Sequence, residues 1–262
     1  MSDENKVTEN TKAAETAETT EEEKIVNTVV KICGMTEAQV KTGVSGMSFK
    51  DGVTLEFDSE DCGEVHIHIA GPKKPVKSAV KEIKAAFGIN VFTTHDKTLE
   101  DVVVELLVAN KLTVSTVESL TGGLLAGRII NVPGVSDIYK AGFITYSNKA
   151  KRKLAGVSRK TIDKFGAVSE QTAREMSKGS ANLYKADVVA AVTGNAGPDE
   201  SEGKPVGLVY IGVNVAGKIT VREYHFDGNR AEIRGKTVTA ALVLMRECIL
   251  EYYGKVTFGG ES

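Results

Sequence analysis

The chain has 262 residues, of which 41% are hydrophobic and 26% are charged, so it can bury a core and is not disordered throughout. No run of about 18 consecutive apolar residues occurs, which excludes a membrane-spanning helix. The opening MSDENKVTEN has neither the basic nor the apolar segment of a secretion signal. The 3 cysteines are scattered and form no CxxC, which argues against a disulfide framework or a cysteine zinc site. These features predict a cytoplasmic protein.

The net charge of −2 conceals an asymmetry along the chain. Residues 1–23 contain eight acidic residues and two lysines, and almost no apolar residues, so we expect a disordered acidic tail. The rest of the chain is mildly basic. That balance is compatible with a small anionic ligand, and it is too weak to indicate a nucleic-acid surface by itself.

Residues 24–95 have the pattern of a small α+β domain. Residues 24–34 place Ile25, Val26, Val29, Val30 and Cys33 on one helical stripe, which Gly34 closes, so a helix is predicted there. Alternating apolar residues predict strands over 53–57 and 65–69, followed by a helix over 72–87 and a strand over 89–92.

Residues 96–256 alternate between strand and helix patterns, which predicts a three-layer α/β/α domain. Its first helix begins at a capping-box pattern, Thr98-x-x-Asp101. The strands are expected over 113–117, 142–147 and 187–193, with a hairpin over 206–215 and 219–226. The helices are expected over 121–130, 148–155, 158–165, 170–184 and 230–252. The hairpin makes the sheet mixed rather than wholly parallel.

Two glycine-rich clusters follow apolar strands, at residues 118–123 (ESLTGG) and 193–198 (TGNAGP). Ligands of α/β sheets bind at the carboxyl ends of strands, and a helix N-terminus that begins with glycine offers amides to a phosphate or an oxyanion. The alternative is that these glycines only permit tight turns between strand and helix.

Ser119 is a candidate nucleophile, but it lacks the G-x-S-x-G context of α/β-hydrolases. After residue 100 the only histidine is His225, and a single strand histidine is more often packed or solvated than catalytic. Tyr146 ends a buried strand, Asn148 is the expected helix cap, and Lys151 follows in the first turn. A partly buried lysine there could deprotonate a serine. From the residues alone, KAKRK at 149–153 is better interpreted as a solvated basic face.

Two further groups could bind ligands. His66 and His68 lie on one face of a strand and could chelate a metal, but the solvated face of an amphipathic strand is the better interpretation, because no carboxylate or cysteine spacing supports a metal site. Arg230 and Arg234, at the start of the last helix, could pair with a phosphate or could be ordinary surface arginines.

The ordered motifs TVSTVESLTGG, ITYSNKAK, FGAVSE, VTGNAGP, KPVGLVY and FDGNR resemble the CinA C-terminal domain, the PncC-type nicotinamide mononucleotide amidase family, over residues 97–254. Residues 24–92 resemble, more weakly, the KH-like middle domain that precedes it in CinA. The resemblance implies hydrolysis of nicotinamide mononucleotide to nicotinic acid mononucleotide and ammonia, in pyridine nucleotide salvage, without a metal or cofactor. It also implies a homo-oligomer, expected to be a dimer, with a nucleotide substrate and no membrane or nucleic-acid partner.

The resemblance also assigns roles to residues. Ser119 would form the acyl-enzyme, and Lys151 and Tyr146 would activate it and pass the proton to ammonia, in an order that the sequence leaves open. The substrate amide or its oxyanion would be held by Thr193, Gly194 and Asn195, and the ribose and phosphate by Thr121, Gly122, Gly123 and Arg230. Leu120 replaces a cysteine common in the family motif, which excludes a cysteine nucleophile there. Asn195 replaces an apolar residue, which could alter substrate preference.

Two other hypotheses remain. One is a non-catalytic CinA-like adaptor in competence or DNA damage. The retained Ser119, Tyr146 and Lys151 argue against it. The other is nucleic-acid binding by the KH-like part. A KH domain clamps a nucleic-acid backbone with a GXXG loop, and residues 24–92 contain one such match, GVSG at 43–46. The weak positive charge of the chain after residue 23 still favours a spacer or dimerisation element over a nucleic-acid surface.

Overall fold

A computed structural model describes residues 24–60 and 63–254, so the expected acidic tail at 1–23 lies outside the described residues. The strands are β1 Ile25–Cys33, β2 Thr54–Glu60, β3 Glu64–Pro72, β4 Val91–Thr93, β5 Val114–Glu118, β6 Tyr139–Ile144, β7 Val188–Gly194, β8 Leu208–Val215 and β9 Lys218–His225. The helices are α1 Glu37–Ser45, α2 Lys73–Phe87, α3 Leu99–Ala109, α4 Leu124–Ile130, α5 Asn148–Ala155, α6 Arg159–Phe165, α7 Glu170–Tyr184 and α8 Arg230–Tyr253.

The first six elements form a small unit in the order β1-α1-β2-β3-α2-β4. Its sheet has the order β2-β3-β1-β4 with every neighbouring pair antiparallel. This is the split β-α-β arrangement of ferredoxin-like units, which is a more specific assignment than the KH-like one. The expected α+β class is confirmed, whereas the domain limits stay a prediction.

The helix predicted over 24–34 is wrong, because these residues form strand β1. β1 lies between β3 and β4, and Val30 and Ile32 face the core of the small unit, while Cys33 packs against the core of the larger one. Burial on both faces removes the simple alternation that marks a half-exposed strand. Helix α1 was not predicted, although its capping box, Thr36 with Gln39, is a sequence signal for a helix start.

The second sheet has the order β6-β5-β7-β8-β9. β6, β5 and β7 are parallel, and β8 and β9 continue the sheet in antiparallel pairs, so the predicted mixed sheet is confirmed. Helices α5 to α7 contribute to the core on one face, and α3, α4 and α8 to the core on the other. The three-layer α/β/α prediction is therefore confirmed.

Two arginines join the small unit to the large one: Arg246 is buried and Arg128 is partly buried. Arg246 on α8 donates to the carbonyl oxygens of Ile89 (2.6 Å) and Val91 (3.0 Å). Arg128 on α4 contacts the buried carboxylate of Glu64 and donates to Glu100 at 2.8 Å. Because a buried guanidinium without partners is costly, these contacts fix how the two units sit together.

None of the helices in the part of the chain that the structure describes has the length and apolar content needed to cross a membrane.

Candidate active site

The connection from β5 to β6 and the connection from β6 to β7 cross opposite faces of the sheet. This places a crevice at the carboxyl end of β5. The chain reaches β6 through α4 on one face, and returns from β6 to β7 through α5, α6 and α7 on the other. In open α/β sheets such a reversal is where ligands bind. Ser119 directly follows β5, Tyr146 comes shortly after β6, and Thr193 lies at the end of β7.

Ser119 and Lys151 meet in this crevice. Nζ of Lys151 lies 2.9 Å from Ser119 Oγ and donates to it, and it also donates to the carbonyl oxygen of Thr145 at 2.9 Å. Lys151 is only 2% exposed and Ser119 8%. The interpretation of residues 149–153 as a wholly solvated basic face is therefore wrong at Lys151.

Burial changes the acidity of Lys151. Desolvation disfavours the charged ammonium and lowers the pKa of Lys151 from 10.5 to about 8, while the negative charge of Glu202 acts in the opposite direction. Lys151 is not ion-paired to a carboxylate within 4.0 Å in the described residues, so its charge is not neutralised there. An amine with a pKa near neutrality, in hydrogen-bond contact with a serine hydroxyl, can act as its general base.

Local structure holds Lys151 in place. The N-cap of α5 is Ser147, whose hydroxyl accepts from the amide of Ala150, so the expected cap at Asn148 is wrong by one residue. The amide of Lys151 donates to the carbonyl oxygen of Ser147 at 2.9 Å. The backbone amide of Thr145 donates to the carbonyl oxygen of Glu118 at 2.6 Å, which fixes the turn after β6 against the end of β5.

Tyr146 and Arg230 form the outer part of the site. Arg230, the first residue of α8, donates to the Tyr146 hydroxyl at 3.0 Å and to the carbonyl oxygen of Gly197 at 2.7 Å. Tyr146 is 63% exposed, unlike the serine and the lysine. A guanidinium at the rim, with donors to spare, is suited to an anionic ligand group.

A cavity of about 370 Å³ contains these groups, which is within the size range of small-molecule sites. The predicted site residues that line it are Ser119, Tyr146, Lys151, Thr193, Gly194, Asn195 and Arg230. Thr121, Gly122 and Gly123 are not among its lining residues. No histidine is found among the described residues that line it, so a serine-histidine pair is not available in this cavity.

The residues after β7 shape one wall of the cavity. Thr193 donates its hydroxyl to the carbonyl oxygen of Ala167 at 2.7 Å. The Asn195 side chain donates to the carbonyl oxygens of Asp199 (3.0 Å) and Lys204 (3.1 Å) and accepts from the amide of Gly197 (2.9 Å). The Asn195 side chain therefore organises its own loop. The backbone amide of Asn195 is not free either, because it donates to the carbonyl oxygen of Leu208 at 2.9 Å.

The turn after Ser119 is held by Glu118, a role that the sequence analysis missed. The Glu118 carboxylate, 1% exposed, accepts from the amides of Gly123 (2.9 Å), Leu125 (3.1 Å) and Ala126 (2.8 Å). The expectation of an open anion site at this helix N-terminus is therefore not met. A carboxylate at the end of a strand, just before a helix that begins with glycines, was the available signal.

Two further residues support the site. Arg234 on α8 donates to the carbonyl oxygens of Leu120 and Thr121, each at 2.9 Å, so it fixes the turn rather than standing free for a phosphate. Glu202 lines the cavity and accepts from the amide of Ala167 at 2.8 Å. It lies in a Gly/Pro/acid loop whose sequence carries no periodic signal.

His225 lies outside the cavity. Its Nε2 is 2.7 Å from Glu223 Oε1 on the same strand, and the His225 side chain is 64% exposed. The expectation that His225 is solvated rather than catalytic fits this position.

Comparison with known proteins identifies the family. Residues 96–249, more than half of the chain, match the model of the CinA C-terminal domain. The chain belongs to the CinA C-terminal domain family.

Relatives in Clostridium tetani and Clostridium novyi carry the name competence-damage inducible protein. The first is 40% identical over 235 residues, which cover 86% of this chain and 57% of the relative. The second is 43% identical over 191 residues, covering 70% of this chain and 46% of the relative. The chain thus spans about half the length of these curated relatives.

Solved structures of the CinA superfamily match about three fifths of the chain. A protein from Klebsiella pneumoniae matches with a TM-score of 0.57 and 31% identity, covering 59% of this chain and 99% of that chain. The competence/damage inducible protein CihA from Agrobacterium tumefaciens matches with a TM-score of 0.53 and 38% identity, covering 58% and 97%.

Proposed function

We propose that the chain hydrolyses the carboxamide of nicotinamide mononucleotide through a serine acyl-enzyme, releasing ammonia and nicotinic acid mononucleotide. The observation that carries this proposal is the contact of 2.9 Å between Lys151 Nζ and Ser119 Oγ in a buried crevice. Membership of the CinA C-terminal domain family supports it. The charged Arg230 at the rim supports a substrate that carries a phosphate.

The proposed first half-reaction uses Lys151 as the base. Neutral Lys151 accepts the proton of the Ser119 hydroxyl while Oγ bonds to the carboxamide carbon. The tetrahedral intermediate collapses when the C–N bond breaks and the nitrogen takes the proton held by Lys151, relayed by the Tyr146 hydroxyl. Ammonia leaves, and Lys151 is neutral again. In the second half, water attacks the acyl carbon and gives a proton to Lys151. The ester bond to Oγ then breaks while Lys151 returns that proton to Oγ. The acid and free Ser119 result.

The oxyanion of these intermediates needs hydrogen-bond donors that are free. The amide of Ser119 is not free, because it donates to the carbonyl oxygen of Val192 at 3.1 Å. The amide of Leu120, which lines the cavity directly after the nucleophile, makes no hydrogen bond to other residues within 24–60 and 63–254. We assign the oxyanion to this amide rather than to the amide of Asn195.

Tyr146 is assigned to the leaving group. The hydrogen bond from Lys151 to Ser119 favours the lysine as the group that takes the serine proton, and leaves the tyrosine for the later transfer to ammonia. The hydroxyl of Tyr146 stands in the same cavity, where Arg230 holds it by a hydrogen bond. A Tyr146→Phe variant should lower kcat more than it raises KM, since the hydroxyl would act mainly in the transition state.

The test is ammonia release from nicotinamide mononucleotide in the presence of a chelator, with the acid product identified by mass spectrometry. The variants are Ser119→Ala and, as a matched control, Ser115→Ala, which removes a buried serine hydroxyl on β5, four residues before Ser119. The Ser115 hydroxyl has no hydrogen-bond partner within the described residues, so its loss should leave activity intact.

Release by the wild type and by the control, but not by Ser119→Ala, is the expected result. Release by all three would place the nucleophile elsewhere, for example in a bound water. No release by any folded form would favour the adaptor hypothesis over the amidase.

A further inference from the structure

The face of the small sheet that points away from the unit's own core brings two histidines and a carboxylate together. Asp58 on β2 lies directly opposite His66 on β3, and Glu56 lies opposite His68. Nδ1 of His66 is 3.0 Å from Asp58 Oδ1, and Nε2 of His68 is 2.6 Å from Asp58 Oδ2. The ligand atoms of Asp58, His66 and His68 all lie within 4.8 Å of one another.

The sequence argument against a metal at His66 and His68 was the lack of a nearby carboxylate. The fold supplies that carboxylate from the neighbouring strand, through a cross-strand pair that no sequence spacing reveals. The donors are two imidazole nitrogens and one carboxylate group, with room for water at the remaining positions, since the Asp58 and His68 side chains are 54% and 52% exposed. We propose that Asp58, His66 and His68 bind a divalent transition-metal ion such as Zn²⁺.

The scaffold is suited to hold such an ion. β3 is paired along its length with β1 on one side and β2 on the other, so the backbones carrying the ligands are fixed before an ion arrives. Charged neighbours on this face include Glu56, opposite His68, and Lys31, opposite His66. Glu64, two residues before His66 on β3, is paired with Arg128. Nζ of Lys31 is engaged by the carbonyl oxygen of Lys97 at 3.1 Å and by Asp96 at 3.6 Å, so its charge is partly balanced.

The ion class follows from the ligands. Imidazole nitrogens favour Zn²⁺, Cu²⁺ and Ni²⁺ over Mg²⁺ and Ca²⁺, which prefer oxygen ligands. Three protein ligands with an open position are typical of zinc sites that keep a water. The site lies on the small sheet, apart from the Ser119 cavity, so it stands independently of the proposed amidase reaction.

The experiment is titration of the tag-free, metal-stripped chain with Zn²⁺ by calorimetry, and with Co²⁺ by visible absorption, whose band intensity reports the coordination geometry. His68→Ala removes one ligand, and Asp58→Asn removes the charge of another. Both side chains are about half exposed, so folding should be retained, which circular dichroism checks. His225→Ala is the matched control, because His225 is an exposed strand histidine beside one carboxylate, that of Glu223.

One Zn²⁺ per chain is expected for the wild type and for His225→Ala. The affinity should fall by about 10-fold or more in His68→Ala and in Asp58→Asn, and Mg²⁺ should not compete. Equal binding by the wild type and folded His68→Ala would overturn the proposal, as would loss of binding only in the His225 variant. Absence of Zn²⁺ binding by the wild type would show that the three residues form a hydrogen-bonded cluster only.

Discussion

The acidity of Lys151 predicts how the reaction depends on pH. With a pKa of about 8, Lys151 would be about 10% neutral at pH 7 and about 90% neutral at pH 9. At the unperturbed value of 10.5, the neutral fraction at pH 7 would be about 0.03%, so burial raises the amount of active base about 300-fold. We expect kcat/KM to rise nearly tenfold per pH unit up to about pH 7.5, and to level off above about pH 9.

The assay is ammonia release at low substrate concentration between pH 6.5 and 10, where the substrate phosphate is mostly in one ionisation state. Lys149→Ala is the matched control, because Lys149 lies on the same helix but is exposed, and its profile should follow the wild type. Lys151→Met should abolish the reaction. A flat wild-type profile from pH 6.5 to 8, or the same rise in Lys151→Met, would refute a neutral Lys151 as the base.

The same shift has a consequence for stability. The pKa of Lys151 is lower in the folded state than in the unfolded one, so the unfolded chain binds more protons between about pH 8 and 10.5. The free energy of unfolding should therefore rise with pH across that interval, while the full penalty remains below pH 8. The penalty for burying the charged Lys151 below pH 8 is about 3 kcal/mol. Lys151→Met should accordingly melt at a higher temperature than the wild type at pH 7, despite its loss of activity.

Three further changes test the surroundings of the site. Glu202→Gln removes the charge that raises the pKa of Lys151, so the midpoint of the kcat/KM profile should move to lower pH; an unmoved midpoint would contradict this coupling. Glu118→Gln weakens the charged hydrogen bonds to the α4 amides, and urea unfolding should show a loss of about 2 kcal/mol together with a lower kcat. Gly179→Ala would place a Cβ 2.0 Å from the carbonyl oxygen of Ala155. It should lower stability in thermal unfolding by about 1–3 kcal/mol, whereas Gly127→Ala, also in a helix but with nothing within 4 Å, should not destabilise.

The larger unit was predictable because its strands and helices carry separate, uninterrupted patterns. The buried strand β7 is almost wholly apolar, and α3, α6 and α7 begin at capping residues that the sequence displays. The small unit was harder. β1 is rich in β-branched residues, and the large unit covers its C-terminal end. Its apolar residues therefore do not alternate strictly, and without the packing partners their spacing resembles one face of a helix.

The site could be predicted only in part from its residues. Ser119 and Lys151 are 32 residues apart, and no local spacing brings them together. The family resemblance, not the pattern of charges, singled out Lys151, since a lysine between other basic residues carries no sign of burial. The use of the α4 amides by Glu118 was also invisible, because the same glycine-opened turn could have accepted a ligand anion.

The meeting of Ser119 and Lys151 depends on both crossovers of the parallel strands. α4 leaves β5 towards one face and α5 leaves β6 towards the other, so the space above the two strand ends stays open. Ser119 occupies the end of β5, and the first turn of α5 carries Lys151 across to it. The lysine therefore bonds to the serine only while α5 keeps its place against α7, where Gly179 allows Ala155 to approach. A substituent at Gly179 should lower activity by more than its loss of folded protein explains, because it displaces the helix that carries the base.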